Sequence, residues 1–150
     1  MSKLLAIAYK TAKCGPMNEV LCANVTQLCG VENDVFGRPG KRQVTVLSKL
    51  QWQQACHSIE VDLPWTTRRA NLLVDDLVFS SADVGKHLQI GELRLEITGE
   101  TDPCKKMEIA QAGLEAALTP DWRGGVTCKV LNDAMIHLGD EITIFTPTPS

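Results

Sequence analysis

Leu93, Leu95 and Ile97 alternate with Glu92, Arg94 and Glu96. A period of two sends every apolar residue to one face and every charge to the other, as in a strand with one buried and one wet face. Short apolar or β-branched runs of strand character recur at residues 4–9, 19–28, 43–47, 71–74, 86–90, 125–131 and 141–145. Two segments break the series. Ser48-Lys49-Leu50-Gln51 fits a capping box that opens a helix through about residue 58. Residues 107–118 set Ile109, Leu114, Ala117 and Leu118 at roughly helical spacing, and Thr119-Pro120 stops them. This many short strands with so few helices predict a mostly β fold, a barrel or a closed sandwich.

The 150 residues suit one domain, without internal repeat or linker, and the tail 146–150 is expected to fray. A net charge of −3 argues against nucleic acid or an anionic membrane as partner. No apolar run approaches membrane-spanning length. Six cysteines (Cys14, Cys22, Cys29, Cys56, Cys104 and Cys128) include no CxxC pair, and the histidines at 57, 87 and 137 are scattered, which is a poor zinc pattern. The apolar run 4–9 is too short for a signal core. A reducing, cytoplasmic setting is therefore expected, with Cys22, Cys29 and Cys128 in the core.

Pro103-Cys104-Lys105-Lys106 lies between the strand at 92–98 and the helix at 107–118. A loop thiol followed by two cations is expected to be exposed, with its thiolate favoured. A thiolate serves as nucleophile, sulfur carrier or soft-metal ligand. Arg38, Lys41, Arg42, Arg68, Arg69, Lys105, Lys106 and Arg123, eight of the fifteen Lys and Arg residues, fall in or beside predicted loops. Gathered at one end of a barrel, they would form a cationic mouth for a small anion, since arginine forks match phosphate and carboxylate oxygens. Trp65 and Trp122 sit beside these cations, as pocket walls or as packing. Asp34, in a glycine-bounded loop, is a turn residue or a proton-handling carboxylate.

Five segments resemble, in order, the MOSC domain, the module at the C-terminus of molybdenum cofactor sulfurases and in small standalone bacterial proteins. They are Gly30-Val31-Glu32-Asn33-Asp34; Arg42-Gln43-Val44-Thr45-Val46-Leu47; Thr67-Arg68-Arg69-Ala70-Asn71-Leu72; Ile90-Gly91-Glu92 through Ile97-Thr98 into Pro103-Cys104; and Arg123-Gly124-Gly125-Val126 with Leu138-Gly139-Asp140-Glu141-Ile142. The motif-bearing part spans about residues 30–145 of one MOSC-like domain covering 1–150. Asn33 stands where the family commonly has glycine, and Asp133-Ala134 replaces a usual glycine turn.

The resemblance implies a MOSC-type β-barrel with a few short helices. It implies that Cys104 matches the family's cysteine, which ligates molybdenum in members that hold the molybdenum cofactor (molybdopterin). Arg69, Asn71 and Arg123 occupy motif positions and are the expected cofactor contacts, joined by Arg38, Arg42 and Lys10. Asp34 is the candidate catalytic proton carrier. Pyridoxal phosphate, which belongs to a separate sulfurase domain, is not expected in this chain alone. Two functions follow from the likeness. One is a molybdenum-dependent oxidoreductase that reduces N-hydroxylated substrates with electrons from a separate donor protein. The other is a sulfur carrier or cofactor-delivery protein serving cofactor biosynthesis without redox catalysis.

Overall fold

The computed structural model describes residues 2–147, so the last residues of the tail expected to fray, 148–150, lie outside the described residues. In chain order the strands are β1 (Ser2–Tyr9), β2 (Asn18–Val20), β3 (Cys22–Thr26), β4 (Gly30–Val31), β5 (Val44–Ser48), β6 (Leu72–Val74), β7 (His87–Ile90), β8 (Leu93–Glu100), β9 (Val126–Val130), β10 (Ala134–His137) and β11 (Glu141–Phe145). Seven of them close on one another in the order β11-β7-β8-β9-β5-β6-β1, with β1 pairing back to β11. The fold is thus mostly β and a closed barrel. Its neighbouring strands are antiparallel except for β5 and β6, which run parallel.

The alternation around Leu95 sets the interior. Leu93, Leu95 and Ile97 are fully buried while Arg94 is exposed. Val44, Val46, Leu72, Leu88, Ile90 and Val126 join them in the barrel core. Register shifts in β1 between Leu4 and Ala6 and in β8 between Ile97 and Gly99 bend these long strands around the ring.

The run at 19–28 divides. Its first part pairs with β1 as β2, and its second pairs with β10 and β4 in a separate three-stranded sheet. Cys22 and Cys29 are exposed, contrary to the expectation of core positions, whereas Cys128 is buried. The pleat gives the reason. Ala23 and Val25 take the inward face of β3, so Cys22 points out, and Cys29 lies in the turn to β4. Burial, reinforced by Glu96, pushes the Cys128 thiol far above its ordinary pKa.

Three short helices cover one side: α1 (Lys49–Ser58), α2 (Lys105–Ala110) and α3 (Leu114–Leu118). Trp52, Ala55, Met107, Leu114 and Leu118 pack with Leu47 and Leu73 in a second apolar cluster. The single helix read at 107–118 is broken at Gly113, whose φ is +87°. The Glu108 carboxylate accepts the N–H groups of Gly113 and Glu115 and holds the break. Only half of the capping box forms. Ser48 Oγ accepts the Gln51 N–H, but the buried Gln51 amide pairs instead with Phe79 and donates to the Asp121 carbonyl.

Gly125 enters β9 at φ +96°, and a Cβ there would stand 2.4 Å from the Val46 carbonyl oxygen. Gly125→Ala is therefore expected to destabilise the fold by roughly 2–4 kcal/mol, combining left-handed strain with a backbone clash. Urea unfolding measures this, and a loss below about 0.5 kcal/mol, ordinary for a surface change, would refute it.

Candidate functional site

The loops at one end of the barrel are tied together by side-chain amides and guanidinium groups. A 3-10 turn (Trp65–Arg68) leads to Arg69, whose φ of +65° reverses the chain into β6. That reversal separates two adjacent arginines: Arg68 is buried and Arg69 half-buried. Arg69 Nη2 donates to the Gly15 carbonyl and ties down the loop after β1. Asn71 is 6% exposed. Its Nδ2 donates to the Ala8 carbonyl, and its Oδ1 accepts the Thr45 N–H and hydroxyl.

A second loop is fixed by Asp34, whose carboxylate accepts the Lys10 backbone N–H at 3.0 Å, while the Val35 N–H donates to the Lys10 carbonyl at 2.7 Å. Asn33, in place of the family's glycine, has φ +69°. Asparagine is among the few residues that tolerate this region, so the turn survives the replacement. Gln43 is buried beneath the same loop and donates to the Gln27 and Gly37 carbonyls while accepting the Val130 N–H.

Cys104 is exposed and stands at the start of α2, where its carbonyl accepts the Met107 N–H at 2.9 Å. Met107 anchors α2 in the apolar cluster below. The segment leading to Cys104 is clamped by Arg68, which donates through Nε to the Gly124 carbonyl and through Nη2 to those of Thr101 and Asp102.

These loops enclose a cleft of about 660 Å³. Lys10, Asp34, Arg38, Arg42, Arg69, Asn71 and Cys104, all singled out in the sequence, line it. Arg123 does not. Its Nη1 donates to the Ala117 carbonyl at the end of α3, so it holds the helical layer rather than the cleft. Trp65 packs in the outer cluster with Nε1 on Glu19, and Trp122 packs against the barrel core. Asn71 lines the cleft, yet most of its amide capacity is committed to β1 and β5.

Arg68, Lys41 and Lys106, expected in the cationic mouth but not singled out as cofactor contacts, complete the cationic wall, whereas the sequence reading missed Phe36, whose ring lies 4.8 Å from Lys10 Nζ. Lys41, Arg68 and Lys106 were visible only as loop cations. Nothing in two adjacent arginines says which turns inward; the left-handed φ at Arg69 decides it.

Seven cationic side chains (Lys10, Arg38, Lys41, Arg42, Arg68, Arg69 and Lys106) face two carboxylates, Asp34 and Asp102, across this cleft. No ion pair forms among these groups within the described residues. Partial burial lowers the Lys10 pKa from its ordinary value, with Arg69 and Lys106 acting in the same direction against Asp34 and Cys14. Burial likewise lowers the Arg68 pKa; Cys104, Asp102 and Glu100 oppose the shift and Arg42 adds to it. Glu100, at the end of β8, is pushed up by burial and by its charge and hydrogen-bond coupling to Asp102, with Arg68 opposing. A small, multiply charged anion is the ligand that such a lining favours, and Cys104 supplies a sulfur beside it.

The two classes of lining residue separate by mutation. Asn71→Ala, which abandons three hydrogen bonds in a buried position, is expected to cost roughly 2–3 kcal/mol. Arg38→Ala, on an exposed loop, should stay within about 0.5 kcal/mol. Chemical denaturation of both variants measures the difference, and equal losses would contradict the structural role of Asn71.

A family model for the MOSC domain matches residues 25–143. The YUAD protein from Bacillus subtilis superposes with a TM-score of 0.79 at 17% identity, covering 99% of this chain and 98% of its own. YiiM from Geobacillus stearothermophilus gives 0.75 at 15% identity, covering 96% and 75%. YiiM from Escherichia coli gives 0.72 at 14% identity, covering 99% and 72%. At these identities the likeness establishes the shared barrel. Comparison with curated protein sequences yields no match.

Proposed function

This chain belongs to the MOSC domain family, and from that premise we propose that its cleft binds the molybdenum cofactor with Cys104 as a ligand to the metal. The observation that carries the reading is an exposed thiol in a cleft lined by seven cations, on a chain whose net charge is −3. The donor set fits the group. A thiolate suits a soft metal already held by sulfur. Arg69, Arg42, Arg38 and Lys10 would neutralise the cofactor's phosphate, and Asn71 would hold the cleft floor in shape. Arg123 has no direct part.

When bound, the cofactor would supply two-electron removal of an oxygen atom, as in R–NHOH + 2 e⁻ + 2 H⁺ → R–NH₂ + H₂O. The electrons would come from a separate donor protein. The chain's own residues would orient the ligand and handle protons. Asp34 is fixed by the Lys10 N–H at one carboxylate oxygen, which leaves the other to carry a proton into the cleft. Lys10, with its lowered pKa, is a second group able to yield a proton. Among the described residues no helix is long and apolar enough to cross a membrane. Six free thiols suit the reducing cytoplasm that this reading assigns to the protein.

The exposure of Cys104 also favours a second reading, in which the thiol carries a persulfide or the barrel hands cofactor to another protein. Purification from a cofactor-competent host separates the two. Metal analysis and pterin fluorescence should find molybdenum cofactor on the wild type and none on Cys104→Ala, with thermal unfolding of the two cofactor-free proteins the same because the side chain is exposed. A wild type free of both molybdenum and pterin would overturn the first reading, and a sulfur adduct on Cys104 in intact-mass measurements would favour the second.

A further inference from the structure

Arg68 is 7% exposed and meets no carboxylate at ion-pair distance among the described residues. A buried cation is costly unless paired or fully hydrogen-bonded. Nε and Nη2 are spent on the carbonyls of Gly124, Thr101 and Asp102, which satisfy donors but leave the charge in place. Nη1 makes no hydrogen bond among the described residues. It is also not among their unpartnered side-chain atoms sealed from solvent, which are His87 Nδ1, Thr101 Oγ1 and Arg123 Nε. Since Arg68 lines the cleft, the free edge of its fork is open to a ligand there.

The surroundings are shaped for this group. A Cβ on Gly124 would stand 2.5 Å from the Thr101 carbonyl oxygen and 3.1 Å from Arg68 Nη2, so glycine lets the guanidinium lie between the two backbone segments. The other cleft arginines differ. Arg38 and Arg42 are exposed, and Arg69 is tethered to Gly15. A guanidinium held by three carbonyls loses little freedom when it takes up a ligand oxygen, whereas a solvated side chain must be immobilised.

We propose that Arg68 is an oxyanion anchor in the floor of the cleft, whose Nη1 donates to an oxygen of a small tetrahedral oxyanion or phosphate monoester seated beside Cys104. This deepens the reading of the cleft as an anion site and rests on it. The oxyanion is the phosphate end of the cofactor or a separate small ion, and the chemistry is common to both.

The test uses the full chain and inorganic phosphate at constant ionic strength. Equilibrium dialysis gives the phosphate affinity, and peptide mass spectrometry follows iodoacetamide labelling of each exposed cysteine. Phosphate should slow labelling of Cys104 and spare Cys22 and Cys29, which belong to the other sheet region. Arg68→Gln should weaken phosphate binding by roughly tenfold or more and abolish the protection. Lys129→Gln, an equal loss of charge on the outside of β9, should change affinity less than about twofold. Should Arg68→Gln fail to fold, Arg68→Lys keeps the charge without the fork and should still weaken binding several-fold.

Phosphate bound equally well by a folded Arg68 variant, bound without protecting Cys104, or not bound by the wild type would each overturn the anchor. A wild type that carries molybdenum but binds phosphate independently of Arg68 loses the anchor and keeps the proposed function; phosphate binding through Arg68 on a chain without molybdenum does the reverse. Phosphate that slows cofactor loading identifies the cofactor's own phosphate as the occupant, and phosphate that leaves loading unchanged identifies a separate oxyanion. Both outcomes support the anchor.

Discussion

The first and last strands meet where Ser2 and Lys3 pair with Ile142 and Glu141, and the Leu4 N–H donates to the Asp140 carbonyl. This seam turns an open sheet into a ring. An open sheet leaves edge strands with unsatisfied backbone groups, and closure removes them. Closure also fixes the strand ends relative to one another, so loops that are distant in sequence come to share one rim. Lys10, Asp34, Arg42, Arg69 and Cys104 come from four separate loops, with Asp34 and Arg42 at opposite ends of the one between β4 and β5, and the ring is what makes them neighbours.

Packing alone would leave that rim loose. A set of buried polar side chains stiffens it: Asn71 joins β1 to β5, Gln43 pins the loop after β4, Gln51 ties the 79 and 121 regions to α1, and Arg68 joins the Cys104 segment to Gly124. Each is costly to bury unless its donors and acceptors are matched. Matched as they are here, they give the loops a single arrangement that apolar contacts would not specify. Arg68 is the unusual member, because its partners are neutral and its charge remains for the cleft.

A cleft so charged on a net acidic chain concentrates its positive potential in one place. Few carboxylates oppose it, and Glu100, at the end of β8, is pushed toward its protonated form by burial and by Asp102. The potential is therefore not neutralised by ion pairs within the described residues. Exposed cations such as Arg38 and Arg42 suit attraction from a distance, while the fixed Arg68 suits recognition at contact.

The strands and the barrel class were legible because alternation, as in Leu93 to Ile97, is a local consequence of the pleat. The thiol at 104 was legible because proline and two lysines mark a loop, and motif order linked it to Arg69 and Asn71. What the sequence did not carry was direction. The division of 19–28 between two sheets, the break at Gly113 and the outward turn of Cys22 depend on which partner strand or carboxylate arrives from elsewhere in the chain. Arg123 sits in a motif position, yet the Ala117 carbonyl claims it; the motif singled out Arg69, yet the neighbouring Arg68 is the one that is buried. Sequence by itself determined which residues are apolar, charged or nucleophilic, and with what period. Only tertiary structure decided which charges share a cavity, because side-chain direction and long-range hydrogen bonding are set by contacts between residues far apart in the chain.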